Sequence, residues 1–133
     1  MDADSKLILD YAVTPANVHD SNEFENFFNE QDEVGYADSA YIGKKLPEHI
    51  RNEVCEKGYR NKLLTEEQKE NNRRKSKIRC RIEHVFGFMT MSMHGLTVRS
   101  IGIARATFHI GLTNLVYNLC RYSFLIRKEA VTG

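Results

Sequence analysis

From Lys6 to Pro15 the chain alternates, with Leu7, Leu9, Tyr11 and Val13 at period two, and this spacing predicts a strand over 6–15 that Pro15 ends. The opposite face, Ile8 and Ala12, is partly apolar as well. Asp20 lies three positions before Glu23, a capping-box-like start for a short amphipathic helix carrying Phe24, Phe27 and Phe28. EVGYAD, 33–38, reads as a second strand. KKLPEHIRNEVCEKG reads as a helix after Pro47 that stops at Gly58, a glycine C-cap. YRNKLL, 59–64, reads as a third strand, and the pair Thr65 and Gln68 forms a capping box that opens a long helix. Strands alternating with helices in this order predict an α/β domain whose middle strands are parallel.

The long helix has a readable inner face. Ile78, Ile82, Val85, Phe86, Met89 and Met93 follow 3.6-residue spacing and are expected to be buried. Glu83 sits at the edge of that stripe, one turn after Arg79 and one turn before Gly87. Gly87 costs about 1 kcal/mol against alanine inside a helix, which room for a bulky ligand or a close backbone beside Glu83 would offset. His94-Gly95 is expected to separate this helix from the next. In that last helix Ile101, Ala104, Phe108, Leu112, Leu115, Leu119 and Tyr122 repeat at three and four. The repeat fits a helix that closes the sheet or pairs with a partner chain, and core packing is the expectation.

Charge adds an asymmetry that the overall value of +1 conceals. Residues 1–56 hold four Lys/Arg against thirteen Asp/Glu, while residues 57–133 hold fifteen against five, giving −9 and +10. The basic half peaks over 69–81, where Lys69, Arg73, Arg74, Lys75, Lys77, Arg79 and Arg81 face only Glu70. Such density suggests phosphate contact; a solvated helix face is the plainer alternative. With 133 residues the chain is at most one domain, large enough for a core. Three widely spaced cysteines without a CxxC or Cys/His pattern indicate neither a disulfide framework nor a zinc site, and a reducing cytoplasm fits them. The most apolar stretch is broken by Asn114, Asn118 and Arg121, so no membrane span is expected.

Two acids stand out by position. Glu83 is the only acid between Asn71 and Lys128. Its plain role is an i−4 pair with Arg79, worth roughly 0.2–0.5 kcal/mol. Asp38 ends a short predicted strand, and in α/β sheets ligands gather beyond the carboxyl ends of strands, although an isolated Asp there is also a natural helix cap. If the two converged, their oxygens would suit one hard divalent ion, Mg²⁺ or Mn²⁺.

VGYADSAYIG, the arginine-flanked RIEHVFGFMT and IGIARATFHIGLTNLVYNLCR together resemble the C-terminal part of bacterial DDE-class insertion-sequence transposases of the insertion-sequence-five type. DADSKLILDYAVTPANVHDS resembles the segment preceding the second acid in that family, so the resemblance covers nearly the whole chain, 1–133, as one C-terminal portion of the catalytic domain. It implies an RNase H-like mixed sheet flanked by helices, with three acids holding two Mg²⁺ or Mn²⁺ ions for cleavage and joining of transposon-end DNA. On that basis Asp38 is the second catalytic, metal-binding acid and Glu83 the third. Arg73, Arg74, Lys75, Lys77, Arg79 and Arg81 become DNA contacts, and the full-length form is expected to be a homo-oligomer. Arg79 and Glu83 match the signature around the last acid, while its outer Tyr and Lys positions hold Ser76 and Thr90 here.

The resemblance also implies an absence. The family's first aspartate lies upstream of the DADSKL segment, so the fold is expected to be incomplete at the N-terminus, without its first strand and most of its second. Asp2, Asp4, Asp10 and Asp20 do not match that position. A two-metal centre normally shares a bridging carboxylate, and without it the chain alone is expected to be inactive. The competing reading is a truncated or decayed transposase that at most binds DNA or associates with intact subunits.

Overall fold

Val34–Ala37 (β1) and Arg51–Val54 (β2) pair in parallel, Val34 opposite Arg51 and Ala37 opposite Val54, in a two-stranded sheet. The computed structural model describes residues 1–19 and 22–132, so the cap expected at Asp20 lies outside the described residues. Two long helices follow, Glu66–Met91 (α1) and Ile103–Thr132 (α2). The chain divides into two compact units, one of Ala16–Cys80 and one of Met1–Pro15 with Arg81–Gly133.

In the first unit a short 3-10 helix, Phe24–Phe27, stands where an amphipathic helix was expected. Phe24 packs against Ala37 and Val54, with Phe28, Tyr41 and Leu46 around them. The Phe24 ring meets Phe28 edge-on at 5.2 Å and Tyr41 at 4.8 Å. Gly35 fits closely here: a Cβ on it would stand 3.0 Å from both Leu46 Cδ2 and Phe28 Cε1, so those side chains would have to give way. The expected helix after Pro47 is instead β2. Ile50 and Val54, four apart, imitate a helical face, but Arg51 N and Cys55 N donate to Glu33 O and Ala37 O at 2.9 and 3.0 Å, which extends the ladder at both ends. Burial of the consecutive residues Glu53, Val54 and Cys55 marks a strand covered on both faces. The strand expected over 59–64 is a tight turn closed by a Tyr59–Lys62 bridge, with Leu63 exposed. The parallel partner of 33–38 is therefore 51–54.

α1 begins as expected. Gln68 N donates to Thr65 Oγ1 at 3.2 Å and Thr65 N to Gln68 Oε1 at 3.0 Å, a complete capping box. Val85 and Met89 are its buried residues, packed with Tyr117, Met1, Ile8, Ile82 and Met93 in the core of the second unit. Phe86, expected in the stripe, is half exposed.

Residues 6–15 form no strand. Lys6 is left-handed (φ 62°), and it and Leu7 bond back to Asp2, Lys6 N donating to Asp2 O at 3.0 Å and Asp2 N to Leu7 O at 2.9 Å; the segment pairs with no strand, so its remaining polar groups must be met otherwise. Side chains of α2 meet them: Asn118 Oδ1 accepts from Ile8 N, and Asn118 Nδ2 donates to Ile8 O, both at 2.9 Å. Tyr117 Oη donates to Lys6 O at 2.9 Å and Arg121 Nε to Ser5 O at 2.6 Å. One amide side chain thus replaces one rung of a ladder. Ile8 turns to the core while Leu9 and Tyr11 are exposed, the reverse of the face expected from the alternation.

α2 is turned the opposite way from the expectation, with Tyr117 and Asn118 on the 5–8 segment and Thr113 on Gly95 O. Its buried residues are Thr113, Asn114 and Tyr117. Phe108, Leu112, Leu115, Leu119 and Tyr122, expected in the core, lie 73, 50, 56, 60 and 58% exposed. Thr113, Asn118 and Arg121 face inward where the carbonyls of Gly95, Ile8 and Ser5 take their donors. The break before α2 falls where expected: His94 is left-handed (φ 50°) and Gly95 N donates to Met89 O at 3.0 Å. Gly95 is buried, a Cβ on it would meet Thr113 Cγ2 at 2.5 Å, and its carbonyl accepts from His109 Nε2 at 2.9 Å and Thr113 Oγ1 at 3.2 Å.

Candidate functional site

Asp38 follows the last residue of β1 and is exposed. Its backbone stays extended (φ −74°, ψ 164°), and its Oδ1 accepts from Ser39 N at 2.6 Å, capping the 3-10 turn Ser39–Tyr41. The capping role and the position at a strand's carboxyl end are therefore both realised. Beyond this end of the sheet lies an open cleft of about 500 Å³, lined among others by Tyr41, Ile42, Val54, Cys55, Lys57 and Lys75; Asp38 is not among its lining residues.

Glu83 is exposed on α1, in the second unit. One turn on, a Cβ at Gly87 would meet nothing within 4 Å, so this glycine serves no close packing inside the chain. Beside Glu83, His84 Nδ1 lies 3.3 Å from Lys6 Nζ.

The cations of α1 are not equivalent. Arg73 and Lys77 are exposed. Arg74 Nη2 lies 3.6 Å from Glu53 Oε2 and keeps its side chain 65% exposed. Lys75 is 14% exposed, donates to Val54 O at 3.1 Å and lies 3.9 Å from Glu53 Oε2. Arg81 Nη1 donates to Ala3 O and approaches Asp4 Oδ1 at 3.4 Å. Arg79 is half-buried. The residue that sequence reasoning missed is Glu53. It is nearly buried on β2, with Arg51 Nε at 3.2 Å as a third cation. Arg51 stands two positions away on the same strand, while Arg74 and Lys75 reach the same acid from α1, which no spacing signal reveals.

Asp38 and Glu83 are hard oxygen donors of the kind Mg²⁺ and Mn²⁺ take. Among the described residues, however, no three His, Cys, Asp or Glu side chains gather as a ligand set. Two carboxylates alone are fewer ligands than a two-metal centre needs.

A short parallel sheet thus ends at a carboxylate and is followed by a helix rich in cations. The chain belongs to the transposase DDE domain family, which it matches over residues 1–119. No curated protein and no solved structure matches it. Membership makes transposition the process and DNA the substrate class, and the family generally uses divalent metal ions. Among the described residues no helix is long and apolar enough to cross a membrane.

Proposed function

We propose that the chain is the C-terminal portion of a DDE transposase catalytic core of the insertion-sequence-five type, RNase H-like in fold, whose complete form cuts and joins transposon-end DNA as an oligomer. Asp38 and Glu83 are its second and third catalytic acids. The observation that carries this reading is the family match across 1–119, joined to the position of Asp38 at the carboxyl end of a parallel strand. Glu83, on the next long helix, fits the same plan.

Because it supplies Asp38 and Glu83 without a match to the family's first aspartate, the chain alone does not cleave or join DNA. It binds DNA through Arg73, Lys77 and, in part, Arg74, with Arg79 beside Glu83 and with Lys75 and Arg81 engaged mainly within the protein. Binding is non-specific and electrostatic, with a log–log salt slope of about −2 to −3, from roughly −0.9 per neutralised phosphate. The test is fluorescence anisotropy on duplex DNA across a salt series, beside a strand-transfer assay in Mg²⁺ and Mn²⁺. Binding that Arg73→Gln and Lys77→Gln abolish, without turnover, supports the reading. Metal-dependent strand transfer lost in Glu83→Gln would overturn the assignment of inactivity, and salt-independent binding would remove the role of the basic helix.

A further inference from the structure

We infer that the outward face of α2 is a docking surface for α2 of a second copy of this chain, packed antiparallel. Phe108, Leu112, Leu115, Leu119, Tyr122 and Ile126 alternate steps of four and three along the helix. That is the 3.5-residue period of a knobs-into-holes seam, narrower than the stripe of a helix laid on a globular core. Every one of the six is open to solvent, from 48% at Ile126 to 73% at Phe108. The helix already buries its other side, through Thr113, Asn114 and Tyr117.

Area and charge identify the occupant. With about 100 Å² open on each side chain, the seam presents roughly 600 Å² of apolar surface, at the upper end of what monomers expose. Two copies together bury roughly 1,200 Å², the lower edge of stable protein interfaces. The heptad position before Phe108 is Arg105, and the one after Ile126 is Glu129, both exposed. In an antiparallel pair centred at the level of Tyr117, Arg105 meets Glu129 of the other copy, Phe108 meets Ile126, Leu112 meets Tyr122, and Leu115 meets Leu119. Both ends of the seam then carry opposite charges. A parallel pair would set Arg105 against Arg105 and Glu129 against Glu129, like charges that disfavour that arrangement. The antiparallel interface is two-fold symmetric and closes at two copies. It does not depend on the roles assigned to Asp38 and Glu83.

Analytical ultracentrifugation of the intact chain up to about 100 µM, with circular dichroism to follow helix content, tests the inference. The expected result is a monomer–dimer equilibrium in the micromolar range. Leu115→Glu with Leu119→Glu should weaken dimerisation at least a hundredfold at unchanged helix content, because it places four carboxylates at the centre of the seam. Arg105→Glu alone and Glu129→Arg alone should each weaken it about threefold to tenfold, and the two together should restore it, since the swapped charges still meet their opposites. These two residues are exposed, so the exchange tests the pairing without touching the core. A folded chain that stays monomeric at about 100 µM overturns the proposal and leaves the seam to another segment or partner. A dimer indifferent to the single charge changes, or no better in the double exchange than in the singles, overturns the antiparallel pairing.

Discussion

Replacing Glu53 by Gln removes the acid that holds cations of the basic helix inside the protein. At an effective dielectric of about 20, a charge pair near 4 Å is worth about 4 kcal/mol before desolvation is counted. Arg51 and Arg74 are 66 and 65% exposed, so solvent screening reduces each of their pairs to less than about 1 kcal/mol. Lys75 differs, because it and Glu53 are only 14 and 11% exposed. Breaking a buried pair usually costs about 3–5 kcal/mol, and here the Val54 carbonyl still receives the ammonium, which brings the expected loss of stability to about 2–3 kcal/mol. Urea denaturation measures it. Arg74 and Lys75, no longer drawn to Glu53, become available to phosphates, so the salt slope of DNA binding should steepen by about one to two units. A loss of stability below about 0.5 kcal/mol would show that the cluster is screened like any surface pair. A slope that stays the same would show that Glu53 does not restrain these cations from DNA.

Gly87→Ala should stabilise the chain by about 1 kcal/mol in thermal or urea melts, because the added methyl meets open space inside α1, one turn before its end. Asn118→Leu leaves both the N–H and the C=O of Ile8 without their partner; a loss of about 2 kcal/mol is expected, with hydrogen exchange at Ile8 accelerating more than at Val85. The hydroxyl and amide of Ser5 hold the Asp2 carboxyl below its ordinary value of 3.8, so its contribution is present above pH 3.8 and lost as pH falls through the lower folded value; Asp2→Asn should flatten that acid limb in pH-dependent melts. Burial pushes the Tyr117 phenol above its ordinary 10.0, so its contribution is whole below pH 10.0 and lost as pH rises through the folded value; Tyr117→Phe should cost about 1 kcal/mol at neutral pH and remove this alkaline loss.

What could be read from sequence was what local chemistry decides. The capping box at Thr65 and Gln68, the apolar positions Val85 and Met89, and the turn at His94-Gly95 all act within a few residues, and each stands as expected. β2 was missed because Ile50 and Val54 have helical spacing, whereas the strand follows from pairing with residues seventeen positions earlier. α2 was legible as a helix but not in its orientation. Hydropathy ranks Asn118 and Arg121 as outward, and it cannot register an unpaired backbone segment that needs their donors and acceptors. Asp38 and Glu83 were singled out by isolation and position, yet only the family resemblance assigns them chemistry. Glu53 had only Arg51, two residues away, as a local partner, since Arg74 and Lys75 come from a separate element.

The corner at Gly95 has a mechanical meaning. The side chain of Thr113 fills the space a methyl would need there, and His109 and Thr113 both grip the Gly95 carbonyl, so the joint between the two helices has little slack. A tight elbow transmits torque where a loose one would absorb it. Tyr117 packs on Val85 and Met89, so α2 bears on the last turns of α1, the helix that also carries Glu83. An acid twelve residues upstream of Gly95 thus takes its aim from a helix whose end is braced by this corner. Loosening it, as Thr113→Ser would, should make that aim less sharply defined long before it unfolds either helix.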